Sequence, residues 1–150
     1  MKILFLDHQG VMHLKKWTKK IPSLEPFDPD SISILNQIIA ETDCDVVVSS
    51  DWKLWVDLPQ MQKFYLDQGI FKAPISYTPK YEIYDIRILA EQRSREIKGW
   101  LEDNKPDKWV SVDDLDMRPH LDNFVFVEDT SMGIKSTLVK EKIITFLVDI

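Results

Sequence analysis

An aspartate at the end of a short apolar run is the first place in this chain where chemistry can be done. The run Ile3–Leu6 leads into Asp7-His8-Gln9-Gly10-Val11. A four-residue apolar stretch opening the chain reads as a buried strand, and Asp7 as the carboxylate it delivers to the lip of a sheet. The pattern recurs. Asp45–Val48 runs into Ser49-Ser50, and Trp109–Val112 into Asp113-Asp114. One aspartate after a strand is an ordinary turn-former or helix cap. Three polar strand ends, one of them a paired Asp-Asp, ask for more. Carboxylates packed together repel unless a proton or cation lies between them. Hard oxygen donors on an open site suit Mg²⁺.

The elements that must position these groups follow from the spacing. Phe124–Val127 is a fourth strand candidate, and Ile143–Val148 is either a fifth strand or a closing helix. Ser31–Ala40 places Ile34, Leu35, Ile38 and Ile39 on one helical face. A second helical pattern covers Tyr84 to Glu102, with Ile88, Leu89, Ile97, Trp100 and Leu101. Strands alternating with helices predict a three-layer, Rossmann-like α/β domain with a mainly parallel sheet. In that architecture the carboxyl ends of the strands share one edge, so Asp7, Ser50 and Asp114 converge there. Leu14–Pro29, with three prolines, reads as a loop or flap. Phe71–Tyr84 reads as a surface excursion carrying a short strand at Ala73–Tyr77.

Bulk properties narrow the classes. The 150 residues are expected to form a single domain, residues 1–150. Apolar residues make up 44% and charged residues 29%, a globular mix. The net charge of −6 argues against a broad nucleic-acid footprint. Lys15-Lys16-Trp17-Thr18-Lys19-Lys20 is the local exception, read as a solvated loop. Cys44 is the only cysteine, so no internal disulfide forms and a reducing, cytoplasmic setting is expected. No apolar run approaches the ~18 residues of a membrane span, and no cleaved leader is expected ahead of the first strand.

The order of these motifs resembles the haloacid dehalogenase-like (HAD) hydrolase superfamily. Its motifs correspond here to Leu-Phe-Leu-Asp7-His8-Gln9-Gly10-Val11, Val-Val-Val-Ser49-Ser50-Asp51-Trp52, the helical stretch Arg93-Ser-Arg95-Glu-Ile-Lys98-Gly-Trp100-Leu, and Val110-Ser-Val-Asp113-Asp114. The strand ending and that helix are similar to a small branch without a large cap domain, whose members occur beside RNA-repair modules. The resemblance implies a Mg²⁺-dependent phosphatase-type hydrolase acting on a phosphate ester. Asp7 would be the nucleophile and form an aspartyl-phosphate. Asp7, Asp114, the Asp113 beside it and the Gln9 backbone carbonyl would form the metal set. Ser50 or Ser49 would hold a phosphate oxygen, as would backbone N–H groups of the Gly10 turn. Arg93, Arg95 or Lys98 would supply the balancing cation. The substrate would be a small phosphorylated compound or a nucleic-acid terminal phosphate. One departure stands out: Gln9 replaces the second aspartate that shuttles the proton, and an amide exchanges none near neutral pH. His8 and His13 are the nearest replacements. Without one, the domain would be a catalytically weak or inactive phosphate- or nucleotide-binding module.

Overall fold

The computed structural model describes residues 1–14 and 24–148. The lysine-rich stretch Lys15–Lys20 and most of the proline-containing loop lie outside the described residues. Five strands form one parallel sheet: β1 (Lys2–Leu6), β2 (Asp45–Val48), β3 (Ser76–Tyr77), β4 (Lys108–Asp113) and β5 (Phe124–Phe126), in the order β3-β2-β1-β4-β5. The helices are α1 (Pro29–Thr42), α2 (Leu58–Asp67), α3 (Leu89–Asn104) and α4 (Val139–Leu147). The arrangement is a three-layer α/β fold, and the described residues add no large further domain.

Strand parity sorts the layers. Leu4, Leu6, Val46, Val48, Val110 and Val112 pack with residues of α1, α2 and α4. Ile3, Phe5 and Val47 face the opposite way, against Ile97 and Trp100 of α3 and Met117 and Leu121. Side chains alternate across a strand, so Asp7 continues the Phe5 side toward α3, and His8 the Leu6 side. Phe5 meets Trp100 edge-on at 5.4 Å between ring centroids.

Local signals explain the helix ends. The Asp28 side chain accepts from Ser31 N and Pro29 occupies the first turn of α1. Asp57 and Gln60 form a reciprocal capping box for α2, a helix the hydrophobic pattern had not singled out. Residues 143–147 take the closing-helix alternative, because Val139, Ile143 and Leu147 recur every four residues and are buried on one face. Two expectations are corrected. The helix expected from Tyr84 starts at Leu89. Ahead of it, Gln92 accepts from Asp85 N and donates to Ile83 O, which spends those backbone groups outside a helix. The short strand is confined to Ser76–Tyr77. Among the described residues no helix is long and apolar enough to cross a membrane.

The turn after β1 is docked from outside. Gly133 has φ +58°, and a Cβ there would lie 2.3 Å from Val11 O, which accepts from Ile134 N at 3.0 Å. Gly133→Ala is expected to cost roughly 1–3 kcal/mol through its left-handed backbone alone, with the clash added. Urea unfolding of the two proteins measures it.

Candidate active site

The strand order turns back at β1. Chain progression runs from β1 to β2 to β3 on one side, then crosses to β4 and β5 on the other. The crevice beyond the carboxyl ends of β1 and β4 is therefore the topological switch point, the usual ligand position in open α/β sheets. Register fills it. Leu6 pairs with Val48 and with Val112, so the next row is Asp7, Ser49 and Asp113. All three lie on the α3 side. Asp114 follows at the turn, and one oxygen each from Asp7, Asp113 and Asp114 lies within 4.8 Å of the others. The expected convergence of Asp7 and Asp114 is thus met.

Gly10 makes the approach sterically possible. Its φ is +79°, and a Cβ at that position would fall 2.5 Å from Asp114 Oδ2. Its N–H donates to His13 O and that of Val11 to His8 O, so these two groups serve the turn itself. Ser50 Oγ caps the following 3-10 turn by accepting from Trp52 N, and it retains its own proton to donate. Ser49 Oγ is buried without a hydrogen-bond partner, beside Asp7 in the row.

The cation is Arg93. It is buried on α3, its Nη1 lies 3.0 and 3.1 Å from the two Asp113 oxygens and 3.5 Å from Asp7, and its Nη2 donates to Asp51 at 2.8 Å. Arg95 and Lys98 point to solvent, Arg95 pairing with Glu82 and Glu91. Asp113 is occupied, because Leu115 N also donates to it. Asp7 and Asp114 are less committed. A second buried ion pair escaped the sequence reading. Lys53 Nζ donates to Glu96 at 2.8 Å and to Thr78 at 2.7 Å, and the Tyr84 hydroxyl donates to the same Glu96 carboxylate. Glu96 lies three residues after Arg93 on α3, so Lys53 ties the turn after β2 to the helix bearing the site cation. The two partners are 43 residues apart, a separation that leaves no mark in local spacing.

Gln9 is half-buried, and its Oε1 lies 3.0 Å from His13 Nδ1. A carbonyl oxygen only accepts, so this nitrogen carries the proton. His13 Nε2 faces Glu25 at 3.8 Å. His8 turns to the other side of the sheet, with Nε2 at 2.6 Å from the Tyr65 hydroxyl and its ring among Phe27 and Trp52. Burial, with Arg93 and His13 adding to it, holds His8 neutral with a pKa near 3. It is therefore poorly placed to serve Asp7 as an acid or base.

Three carboxylates, Asp7, Asp51 and Asp113, share one guanidinium, and Asp114 lies against two of them. Burial and the charge of Asp113 push Asp7 well above the usual carboxylate range, against the pull of Arg93. The same two causes raise Asp114 to about 6. Burial works against the charge on Arg93, and Asp113, Asp7 and Asp51 more than offset it. Both groups therefore hold a proton to higher pH than an ordinary carboxylate does. The donors are hard oxygens, close together and short of positive charge, which fits Mg²⁺. Asp7 and Asp114 are the residues free to hold it.

A pH test follows. A folded-state pKa raised to about 6 means the folded protein binds more protons than the unfolded chain between about pH 4 and 6, so metal-free stability falls as pH rises through that window. His8 contributes with the opposite sign, losing stability as pH falls below about 6.5. A comparison at fixed pH cancels His8. Without metal, Asp114→Asn should melt higher than wild type at pH 7.5 by roughly 2–4 °C, the effect of ~1 kcal/mol in a chain of this size. The gap should narrow through that window and close near pH 4. Thermal melts in chelator check both.

Residues 3–139 match the family described as the HAD domain in Swiss Army Knife RNA repair proteins. No curated protein and no solved structure matches the chain. A family match over nearly the whole length agrees with the parallel sheet, with strand-end acids at the switch point, and with an arginine presented by the helix before β4. The chain belongs to this HAD domain family.

Proposed function

We propose that the protein is a Mg²⁺-dependent phosphoryl-transfer enzyme in which Asp7 attacks the phosphorus of a phosphate ester and becomes an aspartyl-phosphate. The supporting observation is the cluster of Asp7, Asp113 and Asp114 oxygens within 4.8 Å, with buried Arg93 against it. A carboxylate is a modest nucleophile. It succeeds when the phosphorus is held in line and charge on the phosphoryl oxygens is neutralised. Asp7 and Asp114, with the Gln9 backbone carbonyl, would hold Mg²⁺, which supplies Lewis-acid stabilisation of those oxygens when bound. Asp113 holds Arg93 in place and completes the acidic set. Arg93 offsets the charge that accumulates beside Asp7. Ser49 and Ser50 are the donors for a non-bridging oxygen. Ser49 has the hydroxyl without a partner, and Ser50 has a hydroxyl proton still to give.

The family name places such domains in RNA repair proteins, so a nucleic-acid terminal phosphate joins small phosphorylated compounds as a substrate class. A reducing, cytoplasmic setting suits the buried free thiol of Cys44. One observation favours a second reading, a phosphate- or nucleotide-binding module with little turnover. The residue two positions past the nucleophile is an amide, and it is tied to His13.

Two measurements test the reading. Mg²⁺ should raise the melting temperature of the wild type, because a ligand that binds only the native state stabilises it by mass action. Asp114→Ala should lose that rise, and an undiminished rise would remove Asp114 from the metal set. With p-nitrophenyl phosphate and Mg²⁺, wild type should release nitrophenolate and Asp7→Asn should not. Tight phosphate-analogue binding without turnover in either protein would favour the binding module.

A further inference from the structure

The residue two positions past the nucleophile cannot move a proton. Gln9 presents an amide there, and its carbonyl oxygen is already engaged by His13 Nδ1 at 3.0 Å. His13 directs its two nitrogens at Gln9 and Glu25. His8 is on the opposite side of the sheet against Tyr65. An amide can donate a hydrogen bond to a phosphoryl oxygen, but it neither protonates a leaving oxygen nor takes a proton from water. The cost of this depends on the leaving group. An alkyl ester expels an alkoxide, which needs a proton, and losing a positioned acid costs ~10²–10⁴ in rate. A phosphoanhydride expels a phosphate, which leaves as a stable anion.

We infer that the donor is a phosphoanhydride, a terminal phosphoryl group carried on another phosphate. This rests on the reading of Asp7 as nucleophile. A carboxylate oxygen of Asp7 forms the new P–O bond. The bond from phosphorus to the bridging oxygen breaks, and its electron pair leaves on the departing phosphate with no proton required. The phosphoryl group ends on Asp7. Water can then attack that phosphorus, returning the Asp7 carboxylate, with one water proton released to solvent. That second step has no base at Gln9 to assist it, so phospho-Asp7 accumulates. Mg²⁺ is typically held by one or two carboxylates together with substrate phosphates, and a polyphosphate brings several phosphate oxygens to it.

The full chain with Mg²⁺ is offered three kinds of donor: γ-labelled ATP or terminally labelled tripolyphosphate, p-nitrophenyl phosphate as an activated ester, and glycerol phosphate as an alkyl ester. Acid quenching reads labelled protein, and phosphate release reads turnover. Expected is label on the wild type from the anhydrides, absent in Asp7→Asn, with glycerol phosphate turned over 10²–10⁴-fold more slowly than p-nitrophenyl phosphate. Gln9→Asp should close most of that gap and shorten the life of the labelled protein. Asp7-dependent release of nitrophenolate with label from neither anhydride would overturn the donor class and leave Asp7 as nucleophile. Wild-type turnover of glycerol phosphate equal to that of p-nitrophenyl phosphate would also overturn it, and its loss in His13→Ala would assign the proton to that histidine. Asp7-independent behaviour with every donor would overturn the nucleophile and this inference together.

Discussion

Uncompensated negative charge at one sheet edge is the constraint around which the structure is built. A parallel sheet brings the ends of β1 and β4 side by side, and this chain puts acids at both. Burying carboxylates costs several kcal/mol each unless they are paired or protonated. The fold answers with one buried guanidinium, with raised pKa values at Asp7 and Asp114, and with a glycine where any side chain would collide with Asp114. Removing the charges would give a more stable domain. That they remain is the mark of a site that trades stability for a ligand.

The cation is itself supported. Arg93 reaches Asp113, Asp7 and Asp51 from a helix that Trp100 and Ile97 pack against Phe5 and Val47 of the sheet. The Lys53–Glu96 pair fastens the turn carrying Ser50 and Asp51 to that same helix. A shift of α3 would therefore move the arginine and loosen the strand-end turn together. The buried pair adds little net stability, because desolvation offsets its Coulomb attraction. Its contribution is orientation.

The turn after β1 divides the labour between neighbours of opposite fate. Asp7 faces α3 and the acids. His8, one residue on, faces the aromatic cluster of Phe27, Trp52 and Tyr65 and is kept neutral there. Gln9 is held by His13. Adjacent residues thus contribute an acid of the cluster, a core ring and an amide.

Much of this was legible in the residues alone. Apolar runs of four ending in Asp7, Ser49 and Asp113 mark buried strands with polar ends. Polar turn residues directly after such runs favour buried parallel strands, and the edge on which their ends meet follows from topology. The lone Gly10 between Gln9 and Val11 marked a turn. What only the tertiary structure decided concerns pairs far apart in the chain. Arg93, Arg95 and Lys98 are equivalent candidates on a helix until the helix is docked. Packing of Ile97 and Trp100 then turns Arg93 inward and leaves the other two in solvent. The strand or helix choice for 143–147 was open because a short apolar run satisfies both periods, and burial against the sheet closed it. The partnership of Lys53 with Glu96 and the hold of His13 on Gln9 have no local signature either. Each depends on where two backbones come to rest, and residue type and spacing carry information only about neighbours along the chain.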